Sequence, residues 1–253
     1  MCMFSGPVQR VAGTRIFARS ASAMRQILIY QMRVTAREPV AMVLPLPVPA
    51  ETGDDAVRFI DLGGYPEFFA DLDAGFPKRQ VRARGHQGFD LFGGEEAKPL
   101  RVHVVGSFVA SFVPTRADFA RLDARFRLPD DVWSGLGKYD DFGFAVFQLS
   151  AGEVATHPMA FEYPRREAGA LFFPTTHVHD GTVPEDAEFD HALYCQPIEG
   201  ERFAITGWDE SPQPPARTVA IARSAETVRD DRHCYRFTID GKHPNRDLLL
   251  KPR

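Results

Sequence analysis

Apolar and polar residues are spaced along this chain more often as in strands than as in helices. In residues 26–34, Ile27, Ile29 and Gln31 share one face while Leu28, Tyr30 and Met32 share the other. A strand here is therefore covered on both sides. Val40-Ala41-Met42-Val43-Leu44 is an unbroken apolar run and predicts a buried strand. It continues into Pro45-Leu46-Pro47-Val48-Pro49, extended chain whose prolines donate no ladder hydrogen bonds. Residues 101–113 are β-like again, with Gly106 placed as a bulge. Residues 142–149 form a strong strand pattern, and 159–163 and 170–173 are the strands that follow. Residues 202–206 and 235–239 read as further strands, with Asp240-Gly241 as a turn.

Helical spacing is rarer. Residues 65–72 predict a short helix after Gly63-Gly64. Thr115 stands as an N-cap with Asp118 three residues on, and Phe119, Leu122 and Phe126 then recur at helical intervals. Residues 129–133 start a second short helix. Residues 74–99, rich in Gly, Lys, Arg and Glu, read as a long mobile surface loop or flap. No internal repeat is present. The pattern predicts one α+β domain over residues 1–253, dominated by mixed or antiparallel sheets with a few short helices.

Composition narrows the function classes. The chain has 253 residues, 44% apolar and 25% charged, which suits a globular protein with a sizeable core. A net charge of −4 gives no basic footprint for nucleic acid. The basic run from Lys78 to Arg84 lacks interleaved aromatic residues and reads as a solvated loop. No stretch approaches the roughly 20 apolar residues of a membrane span. Met1-Cys2-Met3-Phe4 does not open a secretory signal, and three cysteines do not make a disulfide framework. A cytoplasmic protein with reduced thiols is expected.

The densest chemistry lies in Thr176-His177-Val178-His179-Asp180-Gly181, followed by Asp190-His191 and Cys195. On a strand, His177 and His179 share a face, and a loop returning to Asp190 brings His191 beside them. Imidazole and thiolate hold borderline metals. The leading expectation is a metal-dependent enzyme, hydrolytic or oxidative, acting on a small molecule or peptide. His177, His179, His191 and Cys195 are its candidate ligands for Zn, Fe or Cu. Asp180 and Asp190 are its candidate catalytic carboxylates, with a role as further ligands or outer partners. The spacing matches neither His-x-His-x-Asp-His nor His-Glu-x-x-His. His157-Pro158-Met159, with Met3, Cys2 and Cys195, raises copper as one option, against methionines that simply fill the core.

Two other readings compete. Cys2 becomes an N-terminal nucleophile if Met1 is removed, its own amine serving as base. Met1-Cys2 and Thr14-Arg15-Ile16-Phe17-Ala18-Arg19 loosely resemble the start of N-terminal-nucleophile hydrolases, the bile-salt-hydrolase-like amidases. This resemblance implies a cysteine amidohydrolase. Alternatively the histidines merely bond to backbone, and the chain is a non-catalytic binding or scaffold protein.

A broader likeness rests on Cys2, on Val43-Leu44-Pro45-Leu46-Pro47-Val48-Pro49, on Val105-Gly106-Ser107-Phe108 and on Tyr139-Asp140-Asp141-Phe142-Gly143-Phe144. In that order these features resemble a bacterial family of unknown function, whose secreted members carry cysteines near the mature N-terminus and a Leu-Pro-Val-Pro-like motif. The resemblance implies a β-rich fold and transfers no site or activity.

Overall fold

The computed structural model describes residues 3–77, 102–106, 108–178, 181–197 and 200–252. Strands β1 (Met3–Phe4), β2 (Arg10–Ser22), β3 (Arg25–Ala36), β4 (Val40–Leu46) and β5 (Arg58–Asp61) precede helix α1 (Phe68–Ala74). Strands β6 (His103–Val105) and β7 (Phe108–Val113) follow, then helix α2 (Asp130–Trp133). Next come β8 (Gly143–Leu149), β9 (Gly152–Ala155), β10 (Met159–Pro164), β11 (Leu171–Phe173) and β12 (Asp186–Gln196). Strands β13 (Asp209–Glu210), β14 (Tyr235–Pro244) and β15 (Leu248–Leu250) complete the set.

Two large sheets face each other. One runs β1-β4-β8-β7-β6; the other runs β13-β14-β12-β2-β3-β10-β5, with β9 also on β3. Strands β11 and β15 form a small third sheet. The pairings between these strands are antiparallel except β2 with β12, which is parallel. The fold is β-dominated with few and short helices, as the apolar pattern predicts.

Burial on both faces explains the apolar runs. In β4, Met42, Leu44 and Leu46 point between the two sheets, while Ala41 and Val43 point outward into a second cluster. That outer cluster is roofed by α2 and by 3-10 turns, where Phe119, Trp133 and Phe144 meet edge to face at 5.1–5.4 Å. In β3, Leu28, Tyr30 and Met32 face the inter-sheet core. Ile27 and Ile29 face a third cluster under α1, built on Phe68, Phe69 and Leu72. The central strands of each large sheet are thus buried on both faces, and they need apolar residues at consecutive positions.

Several expectations change. Gly106 is no bulge; with φ of +60° it turns the β6–β7 hairpin. Thr115 caps no backbone N–H; its hydroxyl bonds the Asp118 carboxylate. The chain is extended at Leu122, which splits the expected helix into 3-10 turns at Arg116–Arg121 and Ala124–Phe126. Residues 202–206 form no strand: Phe203 fills the core and bridges only Pro252. Asp240-Gly241 lies within β14, where Gly241 takes a φ of +82°. Of the loop expected at 74–99, residues 78–99 lie outside the described residues. No described helix is long and apolar enough to cross a membrane.

Two polar contacts tie this frame together. Arg165, only 2% exposed, donates to the carbonyls of Ser22, Ala23 and Ala170 and to the Ser20 hydroxyl. It also faces Glu201 at 3.5 Å. One guanidinium thereby fastens the β2–β3 hairpin to the end of β10. His157 joins the two sheets at their edges. Its ring lies 4.2 Å from that of Phe108 and against Gly106, where a Cβ would come within 2.5 Å of Nε2. Burial lowers its pKa from the ordinary 6.5, against the pull of the Pro158 carbonyl and the Asp61 carboxylate.

Arg165→Met is expected to cost about 3–5 kcal/mol, because it strands a nearly buried carboxylate and several carbonyls. Urea unfolding of both proteins measures this, and a loss below about 1 kcal/mol refutes the fastening role. The lowered pKa of His157 fixes the sign of a second effect. On acidification the unfolded chain takes up this proton first, so its contribution is full above pH 6.5 and declines as pH falls below it. His157→Phe keeps a ring against Phe108 and should flatten the loss of unfolding free energy between pH 7.5 and 5.5 (about two units around the ordinary value). An unchanged slope counts against this assignment.

Candidate functional site

Strand β12 carries three of the seven expected residues, Asp190, His191 and Cys195. Its alternation buries Phe189, His191, Leu193 and Cys195 on the side of the inter-sheet core. His177 arrives from the extended link after β11 and is likewise buried. Asn245 holds that link like a short strand: it accepts the His177 N–H at 2.6 Å and donates to the His177 carbonyl at 2.9 Å. Asn245 also donates to the Pro184 carbonyl. Asp247 accepts the N–H groups of Thr175 and Thr176, each at 2.9 Å. The turn between β14 and β15 therefore sets the position of His177.

The two imidazoles form an aromatic cluster. The rings of His177 and His191 stack at 5.3 Å with 20° between their planes. Phe189 packs on both, at 4.3 Å from His177 and 5.0 Å from His191. Asp190 points to the opposite face of β12. It accepts the Gly13 N–H at 2.6 Å, and its other oxygen lies 3.8 Å from Nδ1 of His191.

Cys195 stands apart. Four residues beyond His191 on one strand, it is about 13 Å away. Burial holds its thiol protonated, pushing the pKa well above the ordinary value, and neighbouring Cys234 and Glu201 push the same way. Metals bind the thiolate, which this environment disfavours. Met3 and Met159 are fully buried in two different core clusters, as filler. Cys2, His179 and Asp180 lie outside the described residues.

The metal-enzyme reading is corrected on this geometry. Among the described residues no three His, Cys, Asp or Glu side chains form a group able to hold a metal ion. His177 and His191 do converge, but they stack on each other and against Phe189. Among the described residues, His177, His191 and Phe189 form a packed cluster of rings.

A cavity of about 580 Å³ opens beside it. Strands β2 and β12 pair only from Arg15 and Ala192 onward. Before that point they part, at the register shift in β2 around Gly13, where φ is +65°. Val8, Val11, Ala187, Phe189 and His177 line the cavity, with Arg10, Glu188 and Asp190 around it. Sequence reasoning missed the β2 wall and the Asn245 and Asp247 clamp. Gly13 and Asn245 were visible as turn formers, but nothing local said which distant segment each would serve.

No family model and no curated protein matches this chain. Among solved structures it is similar to the crystal structure of baculovirus P35, with a TM-score of 0.53 and 12% identity over 99% of each chain. It is also similar to the structure of a mutated baculovirus P35 after caspase cleavage. There the TM-score is 0.51 and the identity 12%, over 96% of this chain and 100% of that one. The likeness is one of fold, and it extends over the whole chain.

Asn245→Ala removes the clamp on His177 and is expected to cost about 2 kcal/mol. Hydrogen exchange should show faster opening at residues 175–178 with β3 and β8 unaffected. Unaltered protection at residues 175–178 refutes the clamp.

Proposed function

We propose that this chain is a non-catalytic protein that acts by binding another protein, and that its partner is a caspase. The observation that carries this reading is the match of its whole length to the P35 fold, one of whose structures is of a chain cut by a caspase. The histidine cluster agrees with it, since its imidazoles are spent on packing. The reading gives no role to a metal cofactor or to a small-molecule substrate.

The test is direct. Purified chain is titrated into active caspases while cleavage of a fluorogenic peptide is followed, with native mass spectrometry for complexes and intact mass for cleavage. The expected outcome is a complex of defined stoichiometry, with peptide cleavage suppressed in proportion and undiminished by chelator. Full peptide cleavage at about tenfold excess of the chain, with no complex, overturns the caspase assignment.

A further inference from the structure

The cavity beside His177 is an interruption in a sheet, and its two walls are strand edges. Residues Arg10, Val11 and Ala12 of β2 pair with Thr35, Val34 and Arg33 of β3 on one side. Residues 186–191 of β12 pair with β14 on one side, from Asp186 with Pro244 to His191 with Ile239. The opposite edges of these two stretches face each other, yet the β2–β12 ladder begins only at Arg15 and Ala192. Among the described residues no backbone hydrogen bond crosses the gap. Alternate residues in each edge direct both N–H and C=O into it.

We infer that this gap is a strand-insertion site, which takes an extended segment of a partner protein, about four residues long, with alternating apolar and polar side chains. This deepens the protein-binding reading and rests on it for the source of the strand. Length follows from the β12 wall, whose residues 187–190 line the cavity over about 13 Å of edge. The side-chain pattern follows from the faces. Inward positions of an inserted strand meet Val8, Val11 and the Phe189 and His177 rings. Outward positions meet Arg10, Glu188 and Asp190. Arg10 and Glu188 carry opposite charges on opposite walls. An outward Thr or Ser bonds to either. The gap ends at a built feature, where its two walls meet. The Gly13 N–H, which a continuous ladder would use, is taken by the Asp190 carboxylate at 2.6 Å.

The experiment uses the peptide fluorescein-Val-Thr-Val-Thr-amide and a twin of the same side chains and label with N-methyl groups on alternate backbone amides. Fluorescence polarisation with the full chain should show saturable binding of the first and loss of about tenfold or more for the twin. Ala187→Phe, which fills the cavity from the β12 side, should weaken the first peptide to a similar degree. Absent saturation at millimolar peptide, or equal binding of the twin, overturns the insertion site. The twin comparison needs no variant, so it decides even if Ala187→Phe fails to fold. No caspase enters this titration. Peptide binding without any caspase complex overturns the caspase assignment alone. A caspase complex with no peptide binding, unchanged by Ala187→Phe, overturns the insertion site alone.

Discussion

Burial of the central strands β3, β4 and β8 on both faces is the constraint from which the rest follows. A sheet covered on one side can shed its polar side chains to water at every second position. Here that outlet is closed along β3 and β4, whose outer faces lie beneath α1 and beneath the roof around Trp133. Polar groups that remain inside must be satisfied where they stand. Arg165 does so with a fan of carbonyls, and Gln26 does so with both the N–H and C=O of Phe172. His177 is inside too, and the chain reaches about 70 residues onward, to Asn245, to fix its backbone.

This constraint also decides what could be read from the sequence. The unbroken apolar run at Val40–Leu46 reads directly as a doubly buried strand, because no other strand environment accepts such a run. The two faces of β3 are equally plain. Residues 202–206 mislead for the same reason: Phe203 is apolar because it plugs the core, and burial alone cannot tell a plug from a strand. In the site, strand alternation correctly brings His191 to the inner face near His177. It says nothing of ring orientation, and stacking against Phe189 is what separates a packed cluster from a ligand set. Cys195 shares that inner face, yet distance along the strand removes it from any common centre. The cavity was beyond local reading, since its walls come from chain segments about 180 residues apart.

A sheet with an internal gap differs from a sheet with a bare edge. Bare edges invite any strand and are a route to aggregation. A gap flanked by two paired strands admits only what fits between its walls, and both walls contribute to selection. The likeness to P35 over the whole chain places this feature in a fold that has been solved both intact and after caspase cleavage, at an identity of only 12%.

The parallel pairing of β2 with β12 has a consequence in time. The Gly13 N–H meets its Asp190 acceptor across 177 residues of chain. Strand β2 is synthesised well before its neighbour β12 in the sheet. Until then β2 can complete only its hairpin with β3. Contacts of such sequence separation slow folding and leave apolar edges exposed while the chain waits. The closure of β2 on β12 is therefore a late step of folding.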